Sequence, residues 1–294
     1  MGAGASFGSG HCSPRCPPLG KELFAELVKL GGVASRIPSP ISDTFLRDFE
    51  AGMAEYAEQP MVELNPLLRE MSRYFLQFGL ESGNAYHVLL SGTRKSNKAV
   101  SIATTNYEML IENAVVEAGL ALRMPGAPPS PGHVPVLKIH GSIHILPEIR
   151  FFKDGGMHMT GGSSYIDGPT RYAKSSEEIK EFLQQYPSFA PSIALYAPGK
   201  RVMNAPRHIT EIQEQFRLRA REAELIVIIG LRVLAEDDHI WGTIAAAAGH
   251  VAYVGGEQNE FREWARSVGK HDVEILGSRF GDALPAILRA VATT

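Results

Sequence analysis

Cysteine is nearly absent from this 294-residue chain: Cys12 and Cys16 are the only two, both close to the start. A disulfide-stapled secreted framework is therefore not supported, and a reducing, cytoplasmic compartment is expected. Long apolar runs are missing too. The most apolar late stretch, Ile240 to Val254, is rich in Ala and Gly and carries His250, so no membrane association is expected. The first residues lack the charged-then-apolar order of a secretory leader. There is no basic excess: 29 Lys and Arg face 32 Asp and Glu, giving a net charge of -3, so direct nucleic-acid binding is not expected. Internal repeats and sustained heptads are also lacking.

What remains is ordinary globular material. With 44% hydrophobic and 21% charged residues, the chain can bury a sizeable core, and its length suits one large α/β domain spanning 1–294. Short apolar runs alternate with amphipathic stretches, which predicts a Rossmann-like parallel sheet with helices on both faces. Strands are expected at Ala99–Ala103, Val134–Ile139, Leu225–Ile229, Val251–Val254 and Val273–Leu276. Helices are expected at Tyr107–Ala118, Thr210–Glu222, Gln258–Val268 and Asp282–Val291. Two segments break the alternation. Asp43 to Phe78 reads as purely helical and defines an inserted helical lobe, 41–97. Residues 143–207, rich in Gly, Pro and Ser, read as a small irregular module or lid whose one clear helix starts at a Ser175/Glu178 capping box.

Four motifs fall where strands of such a sheet run into loops, the usual place for ligands. Gly2-Ala3-Gly4-Ala5-Ser6 can bring backbone N–H groups close to a phosphate. The same letters also fit an N-myristoylation pattern, and a glycine-rich start is equally the mark of a plain tail. A dehydrogenase would want an acidic residue about twenty positions on; Glu22 stands there, but on a predicted helix. Thr104-Thr105-Asn106-Tyr107-Glu108 opens a helix, either capping it or facing a ligand. Lys138-Ile139-His140-Gly141-Ser142 offers a histidine able to act as a base, or one that is merely hydrogen-bonded. Gly230-Leu231-Arg232, with Asp237-Asp238-His239 just beyond, lets the chain turn under a ligand, with the aspartates binding ribose or capping the next helix.

The order of these motifs (glycine loop, TTNYE, KIHGS, IIGLR) resembles the sirtuin family, specifically its bacterial, NAD+-hydrolysing, anti-phage defence branch. The resemblance implies that Asn106 orients ribose and water, and that His140 is the base. It implies that Gly2, Ala3, Gly4 and Ser6 cradle the phosphates of NAD. Thr105 and Tyr107 would line the nicotinamide-ribose pocket, and Gly230 would pass beneath the adenosine half. A protein deacylase of this family typically carries a four-cysteine zinc module after the histidine motif. With no cysteine beyond Cys16 that module is missing, so no metal is expected and water is the favoured acceptor.

The function implied is an NAD+ glycohydrolase, acting as a defence effector and restrained as a homo-oligomer or by a separately encoded regulatory or sensor protein. The alternatives are a non-catalytic NAD+/ADP-ribose-binding module and an NAD-dependent protein deacylase. The sequence departs from the family at two places. The glycine loop should follow a buried strand, yet only Met1 precedes Gly2, so either the start lies too far downstream or the N-terminus is held another way. Where an asparagine is expected after a late strand stand Gly255 and Gly256, leaving Glu257 or Gln258 to contact the adenosine ribose.

Overall fold

The computed structural model describes residues 1–60, 62–149, 156–160, 163–194, 204–234 and 237–294, with backbone alone for 156–160 and 163–165. The chain opens with α1 (Ala3–Phe7) and β1 (Cys12–Ser13). Helices α2 (Gly20–Lys29), α3 (Ile41–Arg47), α4 (Phe49–Glu58) and α5 (Asn65–Phe75) follow. Then come β2 (Gly79–Leu80), antiparallel to β1, and α6 (Ala85–Lys95). The next four elements are β3 (Ile102–Thr104), α7 (Leu110–Glu117), β4 (Ala121–Arg123) and β5 (His133–Lys138). Short antiparallel pairs come next: β6 (Ile145–Pro147) with β9 (Thr170–Tyr172), and β7 (Gly156–Thr160) with β8 (Ser163–Asp167). After α8 (Ser176–Gln185) the chain runs α9 (Pro206–Glu222), β10 (Leu225–Ile229), α10 (Asp238–Ala246), β11 (His250–Val254), α11 (Gln258–Ser267), β12 (Val273–Gly277) and α12 (Phe280–Thr293).

The molecule is mixed α/β, with parallel sheets flanked by helices. Strands β3, β5 and β4 form one three-stranded parallel sheet and β10, β11 and β12 another. Side chains alternate between faces along a strand, and two apolar layers result. Val134 and Val136 of β5, Ile229 of β10 and Val254 of β11 join α6, α7 and α12 in one core. Leu137, Ile228, Val251 and Tyr253 join α9, α10 and α11 in the other. Both faces are therefore covered, which is why these strands read as apolar runs rather than as alternating patterns.

The two sheets meet at the N-terminus. The Met1 amine donates to Ala103 O (2.7 Å), and Met1 O accepts from the Thr105 amide (3.1 Å). The Gly2 amide donates to Ile229 O (2.9 Å) and the Gly4 amide to Gly230 O (2.9 Å). Gly2 is buried, and its amide is taken by Ile229 O.

Helices α2, α3 and α4 share an aromatic cluster in which Phe24 stacks on Phe45 at 4.3 Å, with Phe49 and Tyr56 edge-on to Phe45. Arg69, buried on α5, donates to the carbonyls of Leu183, Tyr186 and Phe189, while Asn65 donates to Ser188 O. These bonds clamp α5 to the end of α8 and the segment that follows it. Part of the 143–207 module lies outside the described residues.

Three sequence expectations shift. The helix expected from Tyr107 starts at Leu110. The carbonyls of Asn106, Tyr107 and Glu108 are taken by Lys138, Ser142 and Ile143, so they cannot enter a helical ladder. The strand expected at Ala99–Ala103 pairs only over Ile102–Thr104. Ser175 accepts from the Glu178 amide as a cap should, but the Glu178 carboxylate turns to Arg171 (3.0 Å) instead of closing the box.

Candidate functional site

β3 and β5 are parallel neighbours with Thr104 opposite Lys138 in the ladder. Asn106 and His140 each lie two residues beyond that pair, so both loops leave the same edge from backbones about 5 Å apart. Lys138, buried and lysine by sequence, ties the loops together. Its ammonium donates to the carbonyls of Asn106 (3.2 Å) and Glu108, and lies 3.2 Å from the Glu112 carboxylate on α7. Burial raises the Glu112 pKa above the ordinary carboxylate value, against the opposing pull of Lys138. The Ser142 hydroxyl donates to Tyr107 O (2.7 Å) and lies 2.8 Å from His144 Nδ1. Burial, helped by Lys138, holds His144 well below the usual imidazole pKa.

Asn106 is buried and does not cap α7. Its Nδ2 donates to Gly2 O (3.1 Å) and to Ser6 Oγ (2.8 Å). Ser6 Oγ in turn donates to Glu108 Oε1 (2.5 Å) and lies 2.8 Å from the Tyr86 hydroxyl. A serine has one proton and two lone pairs. With that proton directed at the Glu108 carboxylate, the lone pairs are left for Asn106 and Tyr86. The network thereby fixes which end of the Asn106 amide is nitrogen. Both its protons are engaged, and Oδ1 is the end left to act as an acceptor. Burial pushes the Tyr86 phenol well above its ordinary pKa, with the Glu108 charge adding to the shift.

His140 is buried, its Nε2 lying 3.1 Å from His239 Nε2 on α10 with the rings stacked at 5.3 Å. One proton at most can sit between the facing nitrogens, so one ring donates and the other accepts. Gly141 follows at φ +73°, where a Cβ would come within 2.0 Å of Ser192 O; the turn that aims His140 requires glycine. A cavity of about 260 Å³ lies beyond His239, lined in part by Arg217, Arg221 and Asp238.

The other motif residues fall around this centre. Gly230 has φ +60°, and a Cβ there would meet the Ala5 nitrogen at 2.0 Å. The glycine loop and the turn after β10 therefore pack backbone to backbone. Ala3 is exposed, Gly4 half-buried, and Ser6 buried within the Asn106 network. Thr105 is half-buried. The Tyr107 hydroxyl donates to Ala194 O (3.1 Å), and burial pushes its pKa up. Asp237 is the buried N-cap residue of α10 but accepts no side-chain capping bond. Glu257 pairs with Arg232 at 3.3 Å. The sulfurs of Cys12 and Cys16 lie 2.9 Å apart. A separate cavity of about 570 Å³ touches Thr105 and Leu231 but neither Asn106 nor His140.

Sequence reasoning passed over Glu108, Lys138 and His239 as site components. All three stand inside quoted motifs, and for Lys138 a charged residue at the end of an apolar strand is a usable signal. His239 stands 99 residues from its partner, and nothing local announces the pairing.

No family model matches the chain, and no curated protein matches it. Among solved structures it is similar to a Sir2 homologue in complex with NAD, at 14% identity and a TM-score of 0.46, over 99% of this chain and 87% of that one. A second similar structure, described under the mechanism and regulation of Sir2 enzymes, has 16% identity and a TM-score of 0.41, over 92% of this chain and 88% of that one. Neither likeness assigns a role to any residue.

Proposed function

We propose that the chain binds NAD+ and hydrolyses its nicotinamide–ribose bond, with Asn106 and His140 as the catalytic residues. The observation that carries this reading is the shared edge. Asn106 and His140 leave adjacent parallel strands in equivalent register, the first locked to the glycine loop and the second to His239. The order of the four motifs along the sequence supports it independently.

The nicotinamide of NAD+ is a cationic leaving group. When the bond to the ribose carbon breaks, the electron pair goes to nicotinamide, which becomes neutral, and positive charge builds on the ribose. The protein's task is to position, shield and supply a base. Asn106 Oδ1 accepts from a ribose hydroxyl or from the attacking water, held to one orientation by Ser6 and Gly2. His140 takes the proton of that water or hydroxyl, and the hydrogen bond to His239 steadies the imidazole as it becomes charged. Water oxygen bonds to the ribose carbon, so NAD+ and water yield nicotinamide, ADP-ribose and one proton. The phosphates are assigned to the outer side of the Gly2–Ser6 turn, Thr105 and Tyr107 to the nicotinamide-ribose side, and Gly230 to the adenosine side. Water is preferred to acyl-lysine because two cysteines cannot build a four-cysteine zinc module. The defence role is proposed on the resemblance of the four motifs alone; an enzyme that depletes NAD+ has to be restrained, which is the ground for proposing a regulatory partner or self-assembly.

The experiment is product analysis after incubation with NAD+, with and without acyl-lysine peptide. Nicotinamide and free ADP-ribose in equal amounts are expected, and Asn106→Ala and His140→Ala should each lose at least about 100-fold in rate. NAD+ binding with no nicotinamide release would leave only a non-catalytic module. Release that depends on acyl peptide would make the chain a deacylase.

A further inference from the structure

Away from Asn106 and His140, two nucleophilic side chains touch. Cys12 and Cys16 are free thiols, and the Cys16 thiol donates to the Cys12 sulfur at 2.9 Å. A disulfide holds its sulfurs at about 2.05 Å, so the pair stands within roughly 1 Å of bonding. Among the described residues no group of three His, Cys, Asp or Glu side chains could hold a metal ion, which leaves the pair for chemistry of its own.

The two thiols differ in reach. Cys12 is buried in β1 and held against β2 by its pairing with Leu80. Cys16 lies outside any helix or strand and is only half-buried, so a small molecule in solvent reaches its sulfur first. Burial pushes the Cys12 thiol up to about 12, with the Cys16 hydrogen bond adding to the shift. At neutral pH Cys12 therefore keeps its proton until its neighbour has changed. A reachable attacking sulfur beside a buried resolving one suits reaction with a peroxide.

What surrounds the Cys12 sulfur leads back to Asn106. Its thiol donates to Gly10 O (3.4 Å) and its sulfur receives the Asn84 side-chain amide (3.3 Å), with Ser9 Oγ also at 3.3 Å. Ser9 Oγ donates to Ser6 O (2.9 Å). Asn84 Oδ1 caps α6 by accepting from the Tyr86 amide (2.9 Å), and the Tyr86 hydroxyl lies 2.8 Å from Ser6 Oγ. Ser6 Oγ is the atom that accepts from Asn106. Two short routes thus join this sulfur to one serine, the first through Ser9 and the second through α6.

We propose that Cys12 and Cys16 form a redox site that hydrogen peroxide closes to a disulfide, and that closure loosens the Ser6 anchor of Asn106. The Cys16 sulfur attacks one peroxide oxygen and the O–O bond breaks. Its electron pair leaves with the second oxygen, which takes the thiol proton and departs as water. Cys16 is then a sulfenic acid. The Cys12 sulfur bonds to the Cys16 sulfur, the S–O bond breaks, and the departing hydroxide takes the Cys12 proton as a second water. Two thiols and one peroxide give one disulfide and two waters; the sulfurs lose two electrons and the peroxide gains them. Cys12 then has no proton to give Gly10 O, and its sulfur turns from Ser9 and Asn84 toward Cys16. A small dithiol reverses the step by exchange.

The test treats the 294-residue chain with limiting hydrogen peroxide and reads the mass of the fragment holding both cysteines. The parent fragment should lose about 2 Da, its two thiol hydrogens, and regain them with dithiothreitol. Cys12→Ser removes the resolving thiol, so Cys16 should stop as a sulfenic acid that dimedone captures. In Cys16→Ser, capture at the buried Cys12 should be at least about 10-fold slower. Hydrogen exchange reads the coupling: the Tyr86 amide should exchange at least about 10-fold faster in the disulfide form. The effect on catalysis rests on the NAD+ reading: oxidation should slow nicotinamide release about 10-fold in the parent, and peroxide should not slow it in Cys16→Ser. Parent thiols that stay free, capture equally fast in both variants, or a disulfide that leaves Tyr86 exchange unmoved would each overturn the proposal. Mass and exchange are read without NAD+, so a chain that releases no nicotinamide sinks the NAD+ reading and not this one.

Discussion

The buried amino terminus makes folding stability depend on pH in a calculable way. Burial lowers the Met1 amine from its ordinary value of 8.0 to about 5. Between those values the unfolded chain carries a proton that the native chain does not. Stability therefore rises with pH across that window, by about 1.4 kcal/mol per unit. Over the whole interval the amine contributes roughly 4 kcal/mol of difference, fully lost below about pH 5 and absent as a penalty above about pH 8. His144 and His208, both lowered by burial, act in the same direction, so the bare chain alone does not isolate Met1. The comparator is the same chain with Met1 Nα-acetylated, which keeps an N–H for Ala103 O but cannot titrate. Urea unfolding of both forms at half-unit steps from pH 4.5 to 8.5 should show the acetylated form ahead by roughly 4 kcal/mol at pH 5, with the gap closing by about pH 8. Parallel stability curves for the two forms would refute the reasoning, since they would mean that the amine is hydrated in the folded state.

Further outcomes follow from the contacts around the site. Ser6→Ala removes the acceptor that holds Asn106 and the donor to Glu108, and should cost about 1–3 kcal/mol in urea unfolding while reducing NAD+ turnover. Gly230→Ala puts a Cβ 2.0 Å from the Ala5 nitrogen at φ +60°, so more than about 2 kcal/mol of stability should go, read as a drop in Tm. Arg69→Met leaves the carbonyls of Leu183, Tyr186 and Phe189 without their donor, and calorimetry should show a loss of at least about 3 kcal/mol. Lys138→Met leaves Glu112 buried without its cation; the Glu112 pKa is already raised, so stability should fall more steeply than in the parent as pH rises above 4.5.

The strands of the second half were legible because nothing competes with their pattern. Leu225–Ile229 is an uninterrupted apolar, β-branched run, and it is strand over those residues. The stretch before the Asn106 loop was harder. Ala99 to Ser101 has strand composition, but a strand is defined by a paired neighbour, and these residues line the cavity of about 570 Å³ instead. The start of α7 was misread because three backbone carbonyls are claimed by the last residue of β5 and the loop after it, thirty or more residues on, a contact invisible to local pattern. At the proposed site, Asn106 and His140 were visible as candidates from their motifs. Their supports were not. Glu108 matters only once Ser6 is folded against it, and His239 only once α10 is docked beside β5. The glycines were visible as a loop, yet part of their necessity is contact with Gly230, more than two hundred residues away.

The most direct measurement is a crystal structure of the chain with ADP-ribose bound. The account predicts the terminal ribose against Asn106 Oδ1 and within hydrogen-bond reach, directly or through one water, of His140, with the pyrophosphate along the Gly2–Ser6 turn. A dinucleotide lodged elsewhere, with Asn106 and His140 untouched, would contradict it.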